Sequence, residues 1–402
     1  MNKKKQLIIL LIIFIIGLIA VIIYLNNRVI DDNSGFTLKE NLKTEVYTKT
    51  NVKDYLENIE GKILSEDNID NEKLGKQTVS FIYLNKDNKK RRGTIEIEIV
   101  DTEKPLVWLR NYQIKKGREI DLEKTIICVD NYDNNPTCEI EGTYDINIPG
   151  TYQLTYKAED NSGNTYQKDF TLTVYEPVEN TTPNTNQTQV EPKYTDFQEV
   201  LNNYKEKNTE IGIDVSKWQG DIDFEKVKNA GATFVMIRVG SQKGTNGEYV
   251  LDEYFKQNIE NALENDLKVG VYFYSYADSE KEAKEQAKWV MKQIKDYEIN
   301  LPIVFDFESF EAFNQMELSI FGLNQIADTF IDTVENDGYE GVLYGSKNYL
   351  NAIWKYHTKS VWLAHYTNET DYDGDYFMWQ LCDDGKIDGI DGYVDIDILY
   401  KK

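Results

Sequence analysis

The chain has 402 residues, 41% of them hydrophobic and 28% charged, which suits two or three domains with cores of their own and excludes a disordered protein. Its 69 acidic residues against 45 basic ones leave a formal charge of −24. Such a balance excludes a nucleic-acid partner, because nothing here would neutralise a phosphate backbone.

In chain order, Lys3, Lys4 and Lys5 precede an unbroken apolar run over residues 7–25. A helix rising about 1.5 Å per residue would cross ~30 Å of hydrocarbon with it. Tyr24, Asn26, Asn27 and Arg28 flank its end and no small-residue cleavage site follows, so residues 1–28 are predicted to be a retained transmembrane anchor. The lysines would stay in the cytoplasm. That places the remainder outside, on a Gram-positive-type cell surface.

Residues 35–176 carry short alternating runs, such as residues 77–83 and 94–99, that read as antiparallel β-sandwich. Residues 74–81, LGKQTVSF, match residues 149–156, PGTYQLTY, and this weak repeat divides the region into modules over 35–101 and 102–176. Cys128 and Cys138 lie close in sequence on the exported side. Whether they pair stays open, since bond geometry depends on a Cα separation that spacing does not give. Residues 177–193 turn to Pro, Thr, Asn, Gln and Glu with almost no apolar side chains, the composition of a disordered linker.

The last segment, residues 209–402, alternates buried-strand runs (211–215, 233–239, 268–276, 301–307) with helical patterns, one of them opened by the capping box Ser279 to Glu282. Four more strand candidates follow, at residues 341–344, 360–366, 376–381 and 393–399, with shrinking helices between them. The expectation is an α/β fold: a (β/α) barrel of TIM type whose last strands lack long helices, with its chemistry at the C-terminal strand ends. Asp306 and Glu308 sit at such an end. Side chains repeat every two residues along a strand, so both point to one side, roughly 6.5 to 7 Å apart for a rise of about 3.3 Å per residue. Paired carboxyls suit acid-catalysed cleavage of a neutral, acid-labile bond such as a glycoside. Asp214 on the first strand and Asp395 and Asp397 on the last should converge on them, because first and last strands adjoin in a closed barrel.

The ordered motifs Ile213 to Gly220 (IDVSKWQG), Arg238-Val-Gly240, Gly270-Val-Tyr272, Asp306-Phe-Glu308, Trp362 to Tyr366 (WLAHY), Trp379-Gln380 and Val394-Asp395 resemble those of glycoside hydrolase family 25, lysozymes of the N,O-diacetylmuramidase type. The resemblance implies peptidoglycan as partner, cut between N-acetylmuramic acid and N-acetylglucosamine. It implies Glu308 as general acid, Asp306 as its partner carboxylate, expected to stay ionised, and Asp214 and Asp395 as further acids of the cleft. Tyr272, Tyr274, Trp362, Tyr366 and Trp379 are candidate sugar platforms, with Gln219, Arg238 and Asp397 as polar substrate contacts. Two positions depart from the family pattern: Phe273 where relatives often have His, and Asp397 where an Asn is usual. Residues 102–176 in turn resemble bacterial immunoglobulin-like surface repeats, with 35–101 a diverged relative, and such modules are expected to act as spacers.

Other chemistries fare worse. The only histidines are His357 and His365 and no G-x-S-x-G elbow occurs, which argues against a serine hydrolase and against catalytic zinc. The acidic turns at 383–391 lack EF-hand spacing, so no metal or cofactor is expected. Cys382, in an apolar run, reads as a buried thiol. No obligatory protein partner is expected beyond the glycan and, through residues 7–25, the membrane. The rival function is an anchored wall-binding or adhesive protein whose barrel holds glycan without turnover.

Overall fold

The computed structural model describes residues 12–19, 28–176 and 194–401. The linker expected at 177–193 and most of the apolar run at 7–25 lie outside the described residues, among which no helix is long and apolar enough to cross a membrane. The chain divides into two compact units, residues 1–103 and 104–402.

The first unit is built on the hairpin Gly75–Leu84 and Lys90–Val100, whose alternation buries Val79, Phe81, Tyr83, Ile95, Ile97 and Ile99 on one face. The second unit opens with a β module whose central hairpin is Gly150–Glu159 and Thr165–Tyr175. The two hairpins have strands of the same lengths, 10 and 11 residues, so the repeat in the sequence is one hairpin pattern used twice. In the second module a small core of Leu154, Tyr156, Phe170, Leu172 and Ile126 packs beside the bridge between Cys128 and Cys138, the pairing that spacing alone left open.

This second module is not a free spacer. Val129 belongs to the same apolar core as the barrel, and Leu106, Trp108 and Ile127 pack against it. Asn314 of the barrel donates to the Ile126 carbonyl at 2.7 Å and accepts from the Cys128 amide at 2.8 Å, while the Ile320 amide donates to the Asp130 carbonyl at 2.7 Å. Removing the Asn314 amide would strand two backbone groups in the seam, at a cost of about 1–3 kcal/mol. Asn314→Ala should therefore lower the urea midpoint and speed hydrogen exchange at the Cys128 amide, with exchange in the central barrel strands unchanged.

The barrel strands are β1 (Thr209–Val215), β2 (Phe234–Gln242), β3 (Lys268–Tyr274), β4 (Ile303–Asp306), β5 (Gly341–Ser346), β6 (Val361–Ala364), β7 (Met378–Lys386) and β8 (Val394–Tyr400). From β1 to β7 neighbours run parallel, and β8 closes the ring antiparallel to both β7 and β1. The eight strands expected from the sequence thus form a barrel, but it departs from the TIM arrangement in its reversed eighth strand. The physical reason lies in the β7–β8 connection, which carries no helix; a short link returns a strand antiparallel, whereas a parallel return needs a crossover.

Period-two alternation sorts the strands. Ile213, Ile237, Val271, Phe305, Leu363 and Ile396 face outward into the core shared with the helices. Phe234, Met236, Val304, Val342, Met378 and Leu399 fill the interior. Gly212 is part of that packing, since a Cβ there would lie 2.5 Å from the Phe234 carbonyl oxygen. Above this apolar plug the inward positions become polar.

Candidate active site

Three inward strand positions one pleat above the plug carry acids, and a fourth acid lies a pleat lower. Asp306 follows Val304 on β4, and Asp214 follows Gly212 on β1. Asp395 lies directly opposite Asp214 in the antiparallel β1–β8 pairing, and Asp397 opposite Gly212. Glu308 comes just after the end of β4, where the backbone leaves the sheet and turns into the short helix Phe310–Phe313.

Asp214, Asp306, Glu308 and Asp395 line a cleft of about 260 Å³ with Ser216, Trp218, Gln219, Arg238, Tyr272, Tyr274, Tyr344, Trp362, Tyr366 and Gln380. Of the residues expected from the sequence, the four principal acids and Tyr272, Tyr274, Trp362, Tyr366, Gln219 and Arg238 come together here. Two do not. Trp379 faces away from the barrel interior, its indole N–H bonded to the His365 carbonyl at 2.8 Å and its ring against Tyr204. Asp397 is fully buried beneath the cleft, where its Oδ1 accepts from the Trp362 indole at 2.9 Å, so it makes no surface for substrate. Phe273 likewise points outward, packed on Tyr249 and Trp289, and supplies nothing to the cleft.

Sequence reading missed Gln380, Tyr344 and Trp218 as site residues. Gln380 is the hub of the cleft floor: its Nε2 donates to Asp214 Oδ2 at 2.7 Å while its Oε1 accepts from the Tyr344 and Tyr366 hydroxyls at 2.8 and 3.1 Å. Strand parity carried the signal, since Trp379 and Gln380 are neighbours and only one can face in. Trp218 stands 76% exposed at the lip with the Lys217 ammonium 5.0 Å from its ring centre. A large exposed aromatic beside a carboxylate-lined cleft suits stacking on a sugar face.

The electrostatics follow from burial. Asp306 is 4% exposed, and its carboxyl is held well above the usual carboxylate range, by burial first and then by Glu308 beside it. The two carboxyls are close enough to hydrogen-bond, so the separation along an ideal strand is not kept; the strand ends at Asp306 and the chain bends before Glu308. Glu308 is also raised by burial, which its bond to Asp306 opposes. The pair therefore titrates as a unit, with loss of its proton shifted upward. In the free site burial and the Glu308 charge work against the ionised Asp306 expected from the sequence. Asp306 Oδ1 is a buried acceptor with no hydrogen-bond partner among the described residues. Arg238, which pairs with Asp252 at 2.7 Å, is the cation whose field draws Asp306 back down.

Asp214 is raised by burial and by the Asp397 carboxyl, and Asp395 is pushed up to about 9, first by burial and then by Asp214. Acids that hold protons make poor ligands for a cation, and among the described residues of the cleft no three carboxylate oxygens gather at coordination spacing. The Cys382 thiol, buried and pushed up to about 12, is no nucleophile.

The barrel segment of the chain has relatives among known proteins. Residues 213–390 match the family Glycosyl hydrolases family 25. The chain is 30% identical over 193 residues to the protein YegX of Escherichia coli K12, a match spanning 47% of this chain and 68% of that one. It is 27% identical over 191 residues to the autolytic lysozyme of Clostridium acetobutylicum, across 46% of this chain and 54% of the relative. The crystal structure of a family 25 glycosyl hydrolase from Bacillus anthracis aligns at 21% identity and a TM-score of 0.42, over 50% of this chain and 92% of that one. By this family match and the extent of the YegX relationship, the chain belongs to the glycosyl hydrolases of family 25 and is a glycoside hydrolase.

Proposed function

We propose that the chain is a membrane-anchored extracellular lysozyme that hydrolyses the β-1,4 bond between N-acetylmuramic acid and N-acetylglucosamine in peptidoglycan. The observation that carries this reading is the contact between Glu308, open to the cleft, and the buried Asp306 behind it. Shifting the pair's proton to Glu308 leaves the charge on Asp306. Glu308 then gives that proton to the leaving glycosidic oxygen as the C1–O bond breaks. The substrate's own 2-acetamido oxygen closes on C1, and its N–H meets the unpartnered Oδ1 of Asp306. In the second half Glu308 takes a proton from water as that water opens the ring intermediate at C1.

Two carboxyls in contact leave no space between them for the water of an inverting pair, whose members stand about 6.5–9.5 Å apart. This favours the substrate-assisted, retaining course. Proton NMR of the first reducing ends released from defined glycan strands should show the β anomer; an initial α anomer would remove the route through the acetamido group.

Within this reading Trp218, Tyr274 and Tyr366 are sugar platforms, Gln380 and Tyr344 hold Asp214 in place, and Asp395 is a second protonated acid facing the glycan. The membrane anchor rests on the apolar run at 7–25 and the lysines before it. The immunoglobulin-like character of the two β modules is supported by their repeated hairpin. Mass spectrometry of fragments released from purified wall tests the bond specificity: reducing N-acetylmuramic acid is expected, and reducing N-acetylglucosamine would exclude it.

A further inference from the structure

A second concavity, of about 670 Å³, opens where the β module meets the barrel. Three features of it point to a peptide. One wall is the strand Tyr112–Lys115, an edge of its sheet: it pairs in parallel with Thr165–Tyr175 on one side, and no strand pairs with its other side among the described residues. An unpaired strand edge offers backbone donors and acceptors to an extended chain. The charges around it are mixed and balanced. Arg110, Arg118 and Lys124 face Glu119, Asp121 and Glu311, in a chain that is otherwise strongly acidic. Only Lys124 and Asp121 pair within that set, at 3.5 Å; neither arginine has a carboxylate partner among the described residues. The Arg110 guanidinium is braced over the Tyr112 ring, 5.3 Å from its centre.

The third feature is the path to the catalytic acid. Glu311 is the barrel's contribution to the concavity and lies three residues after Glu308. Burial and the charge of Glu308 both raise the hydroxyl of Tyr349. Its ring stacks on Phe310 at 3.6 Å and on Trp108 at 4.7 Å, and Trp108 stands two residues before Arg110. The stack of Phe310, Tyr349 and Trp108 thus ties the segment just after Glu308 to the module that carries the charged edge.

We propose that this edge is the docking site for the peptide stem carried by the glycan, so that the β module completes the substrate cleft. The inference rests on the peptidoglycan reading given above. A stem carries carboxylates and, on its diamino acid, an amine, which is the mixed set that Glu311 and the two arginines without a carboxylate partner complement. Extended, about four residues span ~13 Å, the length of the four-residue edge strand.

The test uses the full chain carrying Glu308→Gln, titrated calorimetrically with soluble disaccharide-peptide fragments and with peptide-free glycan oligomers, with and without Arg110→Ala and Arg118→Ala. Both arginines are exposed, so the fold is not at risk. The double change should weaken peptide-bearing fragments by about tenfold and leave peptide-free oligomers unchanged. Equal affinity of the two backgrounds for the peptide-bearing fragment would overturn the proposal, as would an equal loss on both ligands. Loss of binding to purified teichoic acid with peptide affinity intact would assign the arginines to a polyanion and overturn it too. Because the titration needs no turnover, a wild-type chain that releases no reducing ends would end the muramidase reading without deciding this one.

Discussion

Glu308→Gln should reduce glycan cleavage by about 10²–10⁴-fold with the fold intact, because the amide keeps the volume of the side chain and removes the proton that the leaving oxygen requires. Reducing-end release from purified wall measures the rate, and far-ultraviolet circular dichroism checks the fold. The same change deletes the neighbour that helps to hold Asp306 in its protonated form. Asp306→Asn should lose a similar factor for another reason: it keeps a polar group at the site but cannot carry the charge that the proposed course sets against the acetamido group. The proton of the pair is lost as pH climbs through its raised range, so activity should fall on the alkaline side. Glu308→Gln clearing wall at the wild-type rate would end the assignment. Absence of clearing by both proteins would favour a glycan-holding protein without turnover.

The second large effect concerns stability. Asp214, Asp306, Asp395 and Asp397 all have folded-state pKa values raised by burial, with Asp395 at about 9. Each contributes stability that is fully present below its unfolded value near 4 and is lost as pH rises through the folded value. For Asp395 the window runs from about 4 to about 9. Within its window each such group tilts stability by about 1.4 kcal/mol per pH unit, so the barrel should be markedly more stable at pH 5 than at pH 8. Asp397→Asn removes one of these acids without changing its shape. We expect the variant to match wild type near pH 4 and to exceed it at pH 8, with a shallower pH slope. All 6 tryptophans lie in residues 104–402, so their fluorescence follows unfolding of that unit alone. An unchanged slope in the variant would mean that Asp397 is already ionised in the folded protein.

Much of this was legible in the residues themselves. Alternation is a local property, and it put Asp306 and Glu308 at one strand end and brought Asp214 and Asp395 to neighbouring strands. The spacing of buried runs counted eight strands before any pairing was known. The sequence reading erred where local rules meet a boundary. The separation of the two acids followed ideal strand geometry, whereas the strand stops at Asp306 and the chain turns. Trp379 was chosen for its ring, although its parity faces it outward.

What the sequence determined by itself was periodicity, composition and the order of the chemical motifs, because these depend on each residue and its near neighbours. Tertiary structure alone decided the reversed eighth strand, the pairing of Cys128 with Cys138, the burial of Asp397 under the cleft and the seating of a β module against the barrel. Each of those depends on what a residue meets from more distant parts of the chain. The upward shift of Asp306 and Glu308 belongs with them, since desolvation is set by the whole barrel wall and not by the three residues that spell the motif.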